Sequence, residues 1–214
     1  MTERTSTPIA PTDEGVVGTD DDGRAFIRFE RHLPHPIDRV WAAISEPAEI
    51  VGWLCQRLEI EPQLGGQFPM WLGATDDQKP PEVGVITVFD PPHVLEAQFE
   101  SGSILRCELQ PAEAGCTLTF IDTRPAGDRA SNSVREGWHI RMEQLPDALD
   151  GRLTDWVALD ATRNEQGIVA RIEEIYRHYR SQPRCRGSCR ERSAATSSDG
   201  RHSSHGHFAC GQSF

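Results

Sequence analysis

The sequence predicts an α+β fold in which an antiparallel sheet of about six strands has one face covered by helices. Three observations favour it. Segments with apolar and polar residues in alternation are joined by tight turns, two short helical segments follow the first long strand, and a long amphipathic helix comes near the end of the ordered region. Tight turns connect antiparallel neighbours, and the apolar face of such a sheet has to be covered.

The first elements are a hairpin and two clipped helices. Residues Val16–Thr19 and Ala25–Leu33 alternate as strands around an Asp-Gly turn. Pro36 suits the first turn of a helix, which ends before Pro47 because the residue before a proline disfavours the α conformation. Pro47 then begins a second helix that runs to Gly52. Both helices are too short to be stable alone, so we expect tertiary packing to hold them.

Strand-like segments dominate the middle of the chain. Their apolar residues occupy alternate positions, and turns rich in Gly, Pro and Ser separate them. The predicted strands lie within residues 57–61, 68–72, 83–89, 95–99, 105–109 and 117–121.

The period changes from two to nearly four at residues 131–151, which predicts the long helix. Its apolar stripe comprises Val134, Trp138, Met142, Leu145 and Leu149. Ser131 and Ser133 are both candidates for the N-cap, and Ser133 with Glu136 has the spacing of a capping box.

Composition divides the chain into four parts. Residues 1–14 are rich in Thr, Pro and acidic residues, which predicts disorder. Residues 15–151 form the predicted domain, and residues 152–180 a helical extension. Residues 181–214 are an Arg, Ser, Cys and His-rich tail, also predicted to be disordered.

Charge and hydropathy exclude several classes of partner. The net charge is −11, which argues against general nucleic-acid binding, because a phosphate backbone attracts clustered cations. The tail carries five arginines against two acidic residues, so the excess of negative charge lies in residues 1–180. There is no apolar run long enough to span a membrane and no signal peptide, so we expect a soluble cytoplasmic protein without membrane insertion.

Four segments, in this order, resemble the START-like (SRPBCC) superfamily, and within it the branch of homologues of the heat-shock-protein ATPase activator. They are Arg31–Leu54, Leu64–Phe68, Gly84–Pro92 and Glu136–His139. The resemblance covers about residues 16–180 and implies a helix-grip fold, with a curved sheet wrapped on a long C-terminal helix.

The resemblance implies a deep apolar cavity between that sheet and the helix, but it leaves three functions open, since a fold hosts many functions. The first is binding of a small hydrophobic molecule. The second is contact with a chaperone or another protein through an acidic surface. The third is a cavity enzyme of the polyketide cyclase or hydrolase type. A monomer and a homodimer, paired through the sheet edge near residues 55–72, are both compatible with the sequence.

Eight side chains are predicted to form the cavity wall because they point from the sheet, the long helix or the second short helix toward the interior. Their alternative role is to fill the core, since protein interiors leave few voids. The eight are Trp53, Met70, Phe99, Leu105, Leu118, Phe120, Trp138 and Met142.

Two polar residues are candidates for catalysis. Asp122 shares the inward parity of Phe120, and His139 adjoins Trp138 but points about 100° away, which places it at the cavity rim. The alternative, which we favour, puts Asp122 and Arg124 in water at a strand end and His139 on the helix surface. No catalytic residue is therefore assigned, since no set of nucleophile, base and orienting group is visible.

Metal and cofactor sites are not predicted. His32 and His35 lack further ligands at suitable spacing. The tail has a Cys/His pattern over residues 185–210, but its spacing is not that of a common zinc finger and it lacks apolar residues for a small core. No Gly-rich phosphate loop follows a strand.

Overall fold

The computed structural model describes residues 13–72, 80–156 and 168–181. Most of the predicted N-terminal disordered segment and the whole tail from residue 182, with its cysteines and histidines, lie outside the described residues. So do residues 157–167 of the predicted helical extension.

One antiparallel sheet forms the body of the domain, in the strand order β1-β2-β8-β7-β6-β5-β4-β3. Its strands are β1 (Val16–Thr19), β2 (Ala25–Leu33), β3 (Arg57–Leu58), β4 (Gln67–Trp71), β5 (Glu82–Asp90), β6 (Val94–Phe99), β7 (Ile104–Ala112) and β8 (Gly115–Thr123). The predicted α+β class is confirmed. The count is eight rather than about six, because short segments at the two edges pair with longer neighbours, β1 with β2 and β3 with β4.

Four helices lie in the described part of the chain. They are α1 (Ile37–Ser45), α2 (Pro47–Ile50), α3 (Asn132–Leu149) and α4 (Ile168–Ser181). Helix α2 ends two residues before the predicted Gly52, and residues 51–54 continue as turns. Ser131 caps α3, since its Oγ accepts a hydrogen bond from the Val134 N–H at 3.4 Å, so the capping-box alternative at Ser133 is wrong. No described helix is long and apolar enough to cross a membrane.

The core lies between the sheet and α3. Phe120 of β8 packs on Trp138 of α3, with ring centroids 4.7 Å apart, and Met142 and Leu145 continue the buried stripe one and two turns later. Full burial of side chains of this size stabilises a fold by roughly 1.5–3 kcal/mol each. This packing fixes α3 across the sheet.

Helices α1 and α2 close one end of this core, as their two-helix pattern predicts. Val40 and Ile44 of α1 and Ile50 of α2 are buried. Trp53, just after α2, is also buried and donates from Nε1 to the Ala43 carbonyl at 2.8 Å. The two short helices are thus held by tertiary contacts and tied to each other.

Helix α4 packs beside α3, near β2 and the segment that precedes β1. Its Ile175 and Tyr179 are fully buried, and Asn132 at the start of α3 donates to the Tyr179 carbonyl at 3.0 Å. The Tyr179 hydroxyl accepts a hydrogen bond of 2.9 Å from the backbone N–H of Gly15. This helix therefore joins α3 to the segment that precedes β1.

Candidate functional site

A cavity of about 290 Å³ lies between α3 and the half of the sheet formed by β4 to β8. It is lined by Met70, Leu72, Glu82, Phe99, Ser103, Leu105, Asp122, Arg124, Val134, Gly137, Trp138 and Arg141. Five strands and one helix contribute, so the lining is assembled from residues far apart in the chain.

Four of the eight predicted wall residues line this cavity, namely Met70, Phe99, Leu105 and Trp138. The other four are buried in the core outside the lining, namely Trp53, Leu118, Phe120 and Met142. This division depends on where α3 contacts the sheet. Because Trp138 packs directly on Phe120, the space between helix and sheet is filled at that point, and the cavity lies toward Asp122 and Arg124 at the end of β8.

Gly137 provides room on the helix side of the cavity. A Cβ placed there would meet only the Nη1 of Arg141, at 3.6 Å. Glycine in a helix interior costs about 1 kcal/mol relative to alanine, so the residue is unfavourable for the helix by itself. Its lack of a side chain leaves space facing the sheet.

Asp122 forms the polar end of the cavity. It is only 1% exposed, and its Oδ2 accepts hydrogen bonds from Trp138 Nε1 at 2.8 Å and from Arg124 Nη1 at 3.1 Å. The preferred expectation that Asp122 sits in water is therefore wrong. The sheet continues past it, since Asp122 is paired with both Ile27 and Leu105 across its neighbouring strands. Burial raises the pKa of its carboxyl, and the Trp138 and Arg124 donors oppose the rise.

The two arginines of the lining are engaged within the protein. Arg124 donates to Asp122 and, from Nη2, to Asp128 at 3.2 Å. Arg141 donates to three backbone carbonyls at 2.8–3.0 Å, those of Leu54, Gly137 and Leu72. Arg141 ties α3 to the segments that follow α2 and β4, and Arg124 ties the end of β8 to the loop that follows it.

Ser103 and Glu82 complete the polar rim. Ser103 is buried, and its Oγ lies 3.2 Å from the hydroxyl of Ser101, which in turn donates to Glu82 Oε1. The β6–β7 turn therefore places a hydroxyl beside the cavity, and the start of β5 places a carboxylate there.

His139 lies elsewhere. Its side chain is fully buried, its Nδ1 is 2.6 Å from the Tyr179 hydroxyl, and its Nε2 is 3.3 Å from Glu143 Oε1. Both expectations for His139, the cavity rim and the open helix surface, are wrong. Its ring packs between Phe29 of β2, with centroids 5.9 Å apart, and Tyr179 of α4, with centroids 5.4 Å apart.

The lining is mostly apolar, with a small number of polar side chains. Within the lining, Asp122 and Glu82 are the carboxyl groups and Ser103 is the only hydroxyl, and no histidine is present. Ser103 has no base beside it that would make it a nucleophile, since its Oγ contact is to Ser101. Among the described residues, no group of three or more His, Cys, Asp or Glu is arranged to hold a metal ion.

Seven of the twelve lining residues are not among the predicted wall or candidate catalytic residues, namely Leu72, Glu82, Ser103, Arg124, Val134, Gly137 and Arg141. Gly137 left a trace, because glycine interrupts an otherwise good helical pattern at a position next to a predicted wall residue. Nothing in the sequence marks Ser103 or Arg141, whose positions depend on how the β6–β7 turn and α3 meet.

This architecture, a curved antiparallel sheet of eight strands around a long C-terminal helix with two short helices at one end, defines the helix-grip class. The family model of activator of Hsp90 ATPase homolog 1-like proteins matches residues 34–150, more than half of the chain. The chain belongs to this family, as the resemblance of the four sequence segments predicted.

Solved structures agree on the fold. The AHSA1-like protein from Aeromonas hydrophila has a TM-score of 0.52 at 17% identity and covers 59% of this chain and 92% of its own. CalU16 from Micromonospora echinospora has a TM-score of 0.54 at 19% identity, over 78% of this chain and 98% of its own. A conserved protein of unknown function from Enterococcus faecalis has a TM-score of 0.56 at 17% identity, over 77% and 87%. No curated protein matches the chain.

Proposed function

We propose that this protein binds a small hydrophobic molecule in the cavity between α3 and the sheet. One observation carries the proposal: a largely apolar pocket of about 290 Å³, half open to solvent, lies between α3 and the sheet beside the buried core. Concave, mostly apolar pockets with a few convergent polar groups are the usual form of small-molecule sites. A guest molecule would remove the exposed part of this apolar wall from water.

The size and shape of the cavity support a compact guest. Ligand pockets span about 300–1,000 Å³, and this one lies at the lower end. Its wall presents aromatic rings from Phe99 and Trp138 and flexible apolar side chains from Met70 and Leu105. Such walls favour a flat aromatic or short aliphatic body.

Gly137 allows a direct test. Gly137→Phe would place a ring in the cavity, whereas Gly137→Ala adds one methyl group where the nearest atom is 3.6 Å away and serves as the matched control. We would measure binding of 2-methoxynaphthalene, an uncharged aromatic probe, to the full chain by equilibrium dialysis. Native mass spectrometry of the freshly purified protein would show whether a molecule is already bound.

We expect wild type and Gly137→Ala to bind the probe with similar affinity, and Gly137→Phe to bind it at least about tenfold more weakly, because a 1.4 kcal/mol loss of contact already has that effect. Circular dichroism would establish that the Phe variant is folded. Equal binding by all three proteins, or no binding by wild type, would overturn the proposal that this cavity is the binding site.

A further inference from the structure

The polar end of the cavity restricts the chemical class of the guest, an inference that rests on the proposed function. Asp122 Oδ2 accepts two hydrogen bonds, from Trp138 and Arg124. Its Oδ1 has only a long contact of 3.4 Å to Arg124 Nη1. A carboxylate oxygen has two lone pairs, so Oδ1 retains acceptor capacity at the cavity wall.

The cations beside Asp122 are largely engaged within the protein, with one exception. Arg124 is shared between Asp122 and Asp128, at 3.1 and 3.2 Å, but its Nε is buried and has no hydrogen-bond partner in the described part of the chain. Arg141 places its donors on the backbone carbonyls of Gly137 in α3, Leu54 after α2 and Leu72 after β4. Nε of Arg124 is therefore an unused donor beside Asp122, and a hydroxyl group, which both donates and accepts, suits a site with this donor and the Oδ1 acceptor.

The carboxylates of the lining disfavour an anionic guest. Asp122 and Glu82 both line the cavity, and Asp128 compensates part of the charge on Arg124. Like charges repel strongly at short range in an environment of low dielectric constant. A carboxylate guest would therefore be disfavoured here, although carboxylates are common head groups of hydrophobic ligands.

We infer that the cavity selects an uncharged ligand with an apolar body and a hydroxyl group, such as a phenol or an alcohol, whose O–H donates to Asp122 Oδ1. The rings of Phe99 and Trp138 hold the body of the ligand, and the buried carboxylate holds the hydroxyl. Ser103, on the same side of the lining, offers a second polar contact to the ligand oxygen.

Three probes of nearly the same shape test this selection. They are 2-naphthol, which donates and accepts; 2-methoxynaphthalene, which only accepts; and 2-naphthoate, which is an anion. Dissociation constants would be measured with the wild-type full chain at neutral pH by equilibrium dialysis. We expect 2-naphthol to bind roughly ten- to a hundredfold more tightly than 2-methoxynaphthalene, the effect of a hydrogen bond to a charged acceptor, and 2-naphthoate to bind most weakly.

Two variants test whether Asp122 causes the preference for 2-naphthol. Asp122→Asn keeps a carbonyl oxygen for Trp138 but removes the carboxylate, and should reduce the preference for 2-naphthol over 2-methoxynaphthalene to nearly one. Asp128→Asn, which changes the other partner of Arg124 at an exposed position, should leave the preference intact.

Each outcome decides between the two proposals. Equal affinity for 2-naphthol and 2-methoxynaphthalene, or tightest binding of 2-naphthoate, would overturn the selection of a hydroxyl while leaving the cavity as a binding site. Absence of binding by all three probes would overturn both. If Asp122→Asn does not fold, the wild-type comparison still decides, since it needs no variant.

Discussion

Replacing Tyr179 by phenylalanine should destabilise the protein, because the hydroxyl of this α4 residue joins two other parts of the fold. It accepts a hydrogen bond from the Gly15 N–H at 2.9 Å and lies 2.6 Å from Nδ1 of His139. All three groups are buried, and the ring also lies under the guanidinium of Arg135, 4.0 Å from ring centroid to Cζ. The substitution keeps the ring and removes only the oxygen.

The magnitude follows from the two partners that lose their hydrogen bond. A buried donor or acceptor left without a partner costs about 1–3 kcal/mol. Because neighbouring losses are not additive, we expect a loss of about 2–4 kcal/mol in the free energy of unfolding for the pair at Gly15 and His139. For a domain of this size each 1 kcal/mol lowers Tm by roughly 2–4 °C, so Tm should fall by about 4–16 °C.

Tyr176→Phe is the matched control on the same helix. Tyr176 is half-buried, and no hydrogen bond to its hydroxyl is found among the described residues, so its loss should change the free energy of unfolding by about 0.5 kcal/mol or less. Urea unfolding of the full chain, followed by tryptophan fluorescence, would measure both variants. If the two substitutions have the same effect within error, α4 is not held by this hydroxyl and the account of its docking is wrong.

Three further results are expected. Gly115→Ala should lower the free energy of unfolding by about 2 kcal/mol or more, since φ is 125° and a Cβ would overlap a backbone carbonyl of β2. Gly127→Ala, at φ 82° in open space, should lower it by only about 1–2 kcal/mol, and chemical denaturation measures both. Burial raises the pKa of Cys55 and Cys107 to about 12, so a pulse of iodoacetamide at neutral pH should leave both unmodified in the folded protein, and peptide mapping that shows rapid labelling of either would contradict this. Burial also raises the pKa of Asp122 above its ordinary value of 3.8, so between the two pKa values the folded state binds more protons than the unfolded state. The stability of wild type relative to Asp122→Asn should therefore rise as pH falls through that interval. A parallel pH dependence of the two proteins' unfolding free energies would refute this.

The sheet was predictable from sequence because its strands alternate cleanly. In β8, Leu118, Phe120 and Asp122 share one face, and all three are buried in the structure. The same alternation placed Phe99 and Leu105 on the inner face, where they line the cavity. Period-two patterns report which face a side chain is on, and this information is local.

The extent of the cavity was not predictable, because it depends on where α3 touches the sheet. Parity gives Phe120 and Leu105 the same inward orientation, but Trp138 packs against the first and leaves the second at the cavity wall. Likewise, the ordinary rule that a charged residue near a strand end is solvated fails for Asp122. Trp138 and Arg124 give this carboxylate hydrogen bonds that partly offset its burial.

Helix α3 has two buried faces with different tasks, and this division accounts for most of what the sequence did not reveal. One side carries Gly137, Trp138 and Arg141 to the cavity, while another carries Arg135 and His139 to Tyr179 of α4, where His139 also packs on Phe29 of β2. Both sides belong to one helix, so the contacts of Arg135 and His139 with Tyr179, and of Tyr179 with Gly15, also help to fix the position of Trp138 over the sheet. The position of Trp138 in turn decides where the pocket begins, because its ring fills the space over Phe120 and its Nε1 donates to Asp122 at the pocket wall.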